Sequence, residues 1–328
     1  MSPVLENFSP EEITDRPMPE VPGVRHHWRQ VGDLRFHVAE AGEGPPLVLL
    51  HGWPEHWFVW RKLIGPLSAR YRVICPDTRG WGWTDVPKRP YDRETMTRDM
   101  LALLDDMGVE RFRLAGHDWG GWLAFLIALW HPERVEALMP LNIAIPFSGI
   151  TPAQVANQWR FWYQLVLASP VLGQQAVKRF AEKGDTVIAR WCGMGPRAWN
   201  EEESSIFLDQ LKEPARRRAS VELYRVFVFK DMTWMVAGRY RRMRLRTPTY
   251  QLHGVGDHII RPVHLSRYGS RSDDMRHELV DCGHFIVDER PELVLDRMLW
   301  FFADRSMTQR EQTTAGSEER GGIRTNTV

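Results

Sequence analysis

A short β-rich run, RFRLAG, passes without a linker into GHDWGG and then into the apolar, helix-forming WLAFLIALW, all within residues 111–130. A strand that becomes a helix this abruptly must turn sharply. The small residues Gly116, Gly120 and Gly121 are what such a turn needs, because strand, turn and helix backbones pass close together there. The turn lifts the residue at its apex, Asp118, above the sheet and beside a helix N-terminus. In the commoner form of this turn the apex is serine. A carboxylate in its place is already ionised at neutral pH, needs no general base to attack, and suits a saturated carbon. The plainer alternative, that Asp118 only caps the following helix, leaves the glycine spacing without a reason.

Three further segments answer to this turn. In LLHGWPEHW the apolar run PLVLL ends in His51, Gly52, Trp53 and Pro54. The backbone N–H groups of Trp53 and of Trp119, the residue after the apex, are expected to converge on one oxygen as an oxyanion hole. The side chains of His51 and Pro54 only shape the loop. After PTYQLHG comes Asp257, and after RHELVDCG comes His284. Each stands just past a predicted strand, at the carboxyl edge where α/β sheets carry their sites, in the order nucleophile, acid, base. His258 and Asp281 are neighbouring alternatives for the acid.

Between about Arg35 and Ile145, short apolar runs (FHVAEA, PLVLL, YRVICP, RFRLAG, VEALMPL) alternate with helical stretches at about 55–68, 94–107 and 119–131. This is the pattern of βαβ units around a mostly parallel sheet flanked by helices. From about Pro146 to Arg246 the strand signal fades into helical, aromatic sequence punctuated by Pro170, Gly173, Gly193, Gly195, Pro196 and Pro214, read as an inserted helical cap. Strands resume in PTYQLHG and RHELVDCG, and a helix from about Pro291 to Asp304 closes the core. The expected organisation is an N-terminal extension over 1–24, an α/β core over 25–145 and 247–305, a cap over 146–246 and a flexible tail over 306–328. The Gly80–Gly82 GWG lacks the further glycine of a dinucleotide fingerprint and reads as a turn.

The net charge of +1 on 328 residues argues against a polyanionic partner. Cys75, Cys192 and Cys282 are too few and too scattered for a disulfide framework or a zinc site, which favours a reducing, cytoplasmic setting. The N-terminus lacks the basic start and apolar run of a secretory signal. The longest apolar stretch, Trp122 to Trp130, is about half of the ~20 residues that a spanning helix requires. No metal or organic cofactor is called for. A homodimer is allowed without any residue that argues for it.

HGWP, GHDWGG, the late Asp257 and the His284 of CGHF together resemble the epoxide hydrolase family of the α/β hydrolases, over about residues 25–305. The resemblance implies an α/β-hydrolase core with an inserted cap, and two cap tyrosines that donate to the epoxide oxygen. FWYQL and ELYRVF put Tyr163 and Tyr224 at the matching positions, with Tyr240 as the fallback. Ring opening leaves an alkoxide, and a phenol, with its pKa near 10, is protonated at pH 7 and able to serve it. The implied substrates are a small apolar epoxide and water, and the implied product is a vicinal diol formed through an ester on Asp118.

The nearest competitor is a haloalkane dehalogenase, which shares the aspartate, the histidine and Trp119. It needs N–H donors for halide, such as Trp119 with a second donor, for which Trp159 and Trp162 are candidates, and usually carries Asn where Trp53 stands. A non-catalytic receptor on the same fold and a nucleic-acid binder using Arg216 to Arg218 and RYRRMRLR are the remaining classes. The near-neutral charge instead makes those arginines solvated faces or cap-to-core ion pairs.

Overall fold

The computed structural model describes residues 16–148, 151–183, 199–265 and 269–303. Most of the N-terminal extension, the tail from Ser306, and Trp191, Cys192, Gly193, Gly195 and Pro196 of the inserted region lie outside the described residues.

The strands are β1 (Arg25–Val31), β2 (Leu34–Ala41), β3 (Pro46–Leu50), β4 (Arg72–Pro76), β5 (Phe112–His117), β6 (Val135–Leu141), β7 (Thr249–Gly254) and β8 (Met275–Val280). They form one eight-stranded sheet in the order β1-β2-β4-β3-β5-β6-β7-β8. From β4 to β8 neighbouring strands run parallel, whereas β1 and β2 are antiparallel additions at one edge. β1 was not foreseen in the sequence. Its residues, RHHWRQV, alternate between exposed and half-buried, so no apolar run announces it, and pairing with β2 (Trp28 opposite His37) is what makes it a strand.

The parallel strands β3 to β7 are buried on both faces, while β8 at the edge is mostly exposed or half-buried, and the alternation along the buried strands divides the core in two. Val48 and Leu50 of β3 face one cluster with Leu114 and Leu138, while Leu47 and Leu49 face the other with Ala115 and Met139. Helix α1 (Arg61–Ser68) covers one face; α2 (Arg93–Asp106) and α3 (Trp119–Trp130) cover the opposite one. All of α3 except Trp130 is buried, as expected of a helix that is apolar around its whole circumference. Truncating one of its leucines, such as Leu126→Ala, should cost about 2–5 kcal/mol.

Between β6 and β7 the described residues are mostly helical. The chain runs through α4 (Pro152–Asn157), α5 (Trp162–Ala168), α6 (Leu172–Lys183) and α7 (Glu201–Leu208) to α8 (Pro214–Val226), which continues through a π-helical turn (Phe227–Asp231) into α9 (Met232–Val236). Polar ties fix these helices onto the sheet domain. Gln210 donates to the Pro54 carbonyl at 2.6 Å and accepts the Gly82 N–H at 2.9 Å. Arg216 pairs with Glu213 at 2.7 Å and donates to the Thr84 carbonyl at 3.2 Å, and Glu213 also holds Arg16 at 2.6 Å. The buried Arg93 of α2 stands 3.8 Å from the buried Asp231 of the π-helical turn. In RYRRMRLR, Arg239 pairs with Glu94, and Arg244 with Asp273. Helices α10 (Ile286–Glu289) and α11 (Pro291–Phe301) close the fold, α11 packing against α1. Among the described residues no helix is long and apolar enough to cross a membrane.

Candidate active site

Asp118 sits between β5 and α3 with φ 48° and ψ −121°, a conformation that an L-residue adopts only under strain of about 1–3 kcal/mol. Close packing around the turn holds it there. A Cβ on Gly120 would meet the Leu50 carbonyl oxygen at 2.2 Å, and one on Gly52 would meet the Asp118 Cβ at 2.6 Å, so both positions are closed to any larger residue. The Asp118 carboxylate makes no helix-capping hydrogen bond. It faces the β3 loop instead, where the Trp53 N–H donates to Oδ2 at 3.0 Å and the Trp119 N–H is directed at the same carboxylate. Burial raises its pKa, and His284, His117 and the two N–H groups oppose that rise.

His284 lies between β8 and α10, with Nε2 3.7 Å from Asp118 Oδ1 and Nδ1 2.8 Å from Asp257 Oδ2. Asp257 is fully buried beyond β7. Its Oδ1 accepts from the N–H groups of Ile259 and Ile260 at 2.8 and 2.9 Å, and its Oδ2 accepts from Asn142 Nδ2 at 2.9 Å. Burial opposes charge on both partners of the pair. Their mutual attraction wins, holding Asp257 below the usual carboxylate range and His284 above the usual histidine range. The alternatives for the acid are elsewhere: His258 is exposed, and the Asp281 side chain is 97 % exposed and paired with Arg290.

A second buried pair lies directly behind this site. His117, the residue before the apex, places Nε2 2.7 Å from the His284 carbonyl and Nδ1 2.8 Å from Glu55 Oε2. A carbonyl can only accept, and Glu55 is held in its carboxylate form, so both ring nitrogens carry protons. Burial works against that charge, but Glu55 and the nearby Asp118 push the His117 pKa up to about 9. Glu55 also accepts the Gly52 N–H at 3.2 Å, joining the loop after β3, the turn at Asp118 and the His284 backbone through one ion pair.

The cavity above Asp118 is lined by Trp53, Trp119, His284, Tyr163 and Tyr224 together with apolar side chains from the inserted helices. The two tyrosine rings stand 6.4 Å apart, edge to face. Tyr224 is wedged edge-on against Trp53 at 5.4 Å and Trp119 at 5.7 Å, and the Trp53 indole N–H is anchored on Ser220 at 3.0 Å. Tyr240 is not among the lining residues. The chain has by then turned back toward the sheet, and Tyr240 packs on Trp130 instead, which removes it as the fallback donor. Trp159 and Trp162, named as halide donors, are 64 % and 51 % exposed and do not line the cavity. Of the other inserted aromatics, Phe161 and Phe227 line it, Phe180 lies tilted against Trp53 at 5.6 Å, and Phe229 faces solvent.

Sequence reading missed Asn142, Glu55 and His117. Each left a faint trace. Asn142 is a polar residue at the end of an apolar strand, and Glu55 and His117 stand beside the glycine motifs that had already been singled out.

Comparison with known proteins gives the family. Residues 45–182 match the alpha/beta hydrolase fold family. The chain is 30 % identical over 294 residues to the soluble epoxide hydrolase of Corynebacterium sp. (strain C12), covering 85 % of this chain and 98 % of that one. It is 44 % identical over 282 residues to the Homo sapiens protein epoxide hydrolase 4, covering 82 % of this chain and 75 % of the relative. Among solved structures, epoxide hydrolase CorEH without ligand superposes with a TM-score of 0.73 at 27 % identity, covering 85 % of this chain and 99 % of the other.

Proposed function

This chain belongs to the epoxide hydrolase family of the α/β hydrolases, and we propose that it converts an epoxide and water into a vicinal diol through a covalent ester on Asp118. What supports the reading most is one juxtaposition: a carboxylate, not a hydroxyl, at the apex of the strand–helix turn, with His284 beside it and Tyr163 and Tyr224 lining the same cavity.

In the first step Asp118 Oδ1, the oxygen left free by the Trp53 N–H, attacks one ring carbon as that carbon's bond to the epoxide oxygen breaks. Tyr163 and Tyr224 donate to the departing oxygen, which becomes a hydroxyl. Oδ2 is then the ester carbonyl oxygen and already accepts the Trp53 N–H, with the Trp119 N–H directed at the same carboxylate. In the second step His284, oriented by Asp257, takes a proton from water as the water oxygen adds to Cγ of Asp118. The charge that develops on Oδ2 is held by the same two N–H groups. Collapse breaks the bond from Cγ to the alkyl oxygen, His284 gives its proton to that oxygen, the diol leaves, and the proton left on the Asp118 carboxyl group returns to the tyrosine that donated in the first step. Esterification removes the Asp118 charge, one of the influences raising the His284 pKa, so the base is released in the step that needs it.

On this reading residues 25–145 and 247–305 carry the nucleophile, acid and base, and residues 146–246 supply the tyrosines. The buried free thiols of Cys75 and Cys282 support a reducing, cytoplasmic setting. Sedimentation velocity tests whether two copies associate as a homodimer.

The test is to incubate the protein with aryl and alkyl epoxides beside matched haloalkanes, following diol and halide, with Asp118→Ala as control. Diol that disappears in the control is expected; halide release alone would assign the chemistry to dehalogenation. A single turnover in heavy-oxygen water should leave the label in Asp118, and label found first in the diol would exclude the ester.

A further inference from the structure

Two polar side chains in the cavity wall have no part in the reaction above. His264, on the short turn Pro262–Leu265 beyond the Asp257 loop, is 7 % exposed, and its ring nitrogens have no hydrogen-bond partner among the described residues. Its ring lies against Phe161 of the inserted region, 5.6 Å between centroids. Gln164 is 5 % exposed; its Nε2 makes one long contact of 3.4 Å with the Tyr163 hydroxyl, and its Oε1 is buried with no partner. Phe161 and Gln164 are three residues apart in consecutive helical turns, so they share a face, and both line the cavity.

Leaving a buried polar group unsatisfied is costly, and Gln164 Oε1 is such a group; with the unpaired ring of His264 lining the same cavity, the wall is complementary to a ligand that satisfies both. Burial, reinforced by the nearby His253, lowers the His264 pKa to about 4, which leaves a neutral ring with one N–H donor and one lone pair at neutral pH. Gln164 Oε1 adds a further acceptor. No lysine or arginine lines the cavity, so a carboxylate would find no counter-charge there. A hydroxyl group, which both donates and accepts, matches this set. The remainder of the wall, with Phe161, Leu167, Phe227 and Ile260, asks for hydrocarbon.

We propose that His264 and Gln164 form a polar subsite, and that the preferred substrates are neutral, largely apolar epoxides bearing a hydroxyl group away from the ring. The inference rests on the epoxide hydrolase reading and adds the substrate class. A site built to bond a hydroxyl can reject the analogue lacking it by as much as about 10⁴-fold, because its own groups are then left unpaired.

The experiment measures kcat/KM for terminal epoxyalkanes and for their ω-hydroxy counterparts of equal chain length, in the wild type and in His264→Leu, His264→Gln and Gln164→Leu. Because the ratio is taken on one preparation, any misfolded fraction cancels. The wild type should favour the hydroxylated member by about tenfold or more at one or more chain lengths. His264→Leu should remove that preference, Gln164→Leu should weaken it, and His264→Gln, which keeps a donor and an acceptor, should restore part of it. Turnover of both series with no preference at any length, or with a ratio that His264→Leu leaves in place, overturns the subsite and leaves the epoxide reading standing. Absence of diol from every member overturns that reading, and the subsite with it.

Discussion

Asn142 holds Asp257 from across the end of the sheet: its Nδ2 donates to Asp257 Oδ2 at 2.9 Å and to the Gly283 carbonyl at 2.9 Å, while its Oδ1 accepts the Gly254 N–H at 3.2 Å. One side chain from the end of β6 thus fixes Asp257 and the loop before His284. Asn142 has φ 45°, so glycine is the replacement that keeps the backbone while deleting the amide. Asn142→Gly should slow ester hydrolysis roughly tenfold, as expected for losing one hydrogen bond to a charged group, while ring opening keeps its rate. Rapid-quench kinetics separates the two steps; equal slowing of both would assign Asn142 a general structural role.

Removing the base should trap the ester. In His284→Gln, intact-protein mass should rise by the mass of the epoxide, and with Asp118→Ala it should not. The pH dependence follows from the same residue. His284 is a base only when neutral, and its pKa in the resting enzyme is raised by Asp257, so hydrolysis is lost as pH falls through that raised value. With Asp118 esterified, the pKa governing decay of the intermediate should lie below the one that NMR titration finds for His284 in the resting enzyme. An equal or higher value would remove Asp118 from the electrostatics of the base.

Tyr163→Phe and Tyr224→Phe each delete a donor and little volume. Each should lower the ring-opening rate by roughly 10²–10⁴-fold. Tyr224, edge-on to Trp53 and Trp119, should keep its packing as phenylalanine, so the melting temperature should change little. Loss of activity accompanied by a large fall in melting temperature would mean that the hydroxyl acts in folding and not in chemistry.

The His117–Glu55 pair should appear in stability against pH. The folded pKa of His117, about 9, lies above the ordinary histidine value near 6.5. Its contribution is therefore complete below about pH 6.5 and is lost as pH rises toward 9, a loss of about 3 kcal/mol. Glu55, whose pKa is lowered, loses its contribution at the acid end instead. Urea unfolding at pH 6 and pH 9 should show this alkaline decline in the wild type and not in His117→Gln. A parallel decline in both would place its origin in another group.

How much of this was legible in advance depends on how local each interaction is. The turn at Asp118 was legible because its steric demands fall on adjacent residues: Gly120 must pass the Leu50 carbonyl, and nothing larger fits. The inner parallel strands β3 to β6 were legible because burial on both faces leaves a nearly continuous apolar run. β1 was not, because an edge strand with exposed and half-buried residues carries no such mark and exists through its partner. Tyr163 and Tyr240 look alike as cap tyrosines; one lines the cavity and the other packs on Trp130, because helix packing and not local pattern sets which way each ring points.

The sequence alone thus determined the turn with Asp118 at its apex, the places of Asp257 and His284 just past their strands and the class of the sheet, since each is written in short-range sterics and in burial periodicity. Only the tertiary structure decided that Asn142 holds Asp257, that Glu55 charges His117 behind the nucleophile, and that His264 and Gln164 face the cavity. Those contacts join strands and loops far apart in the chain. Their strength comes from a buried, low-dielectric setting that exists only once the fold has closed.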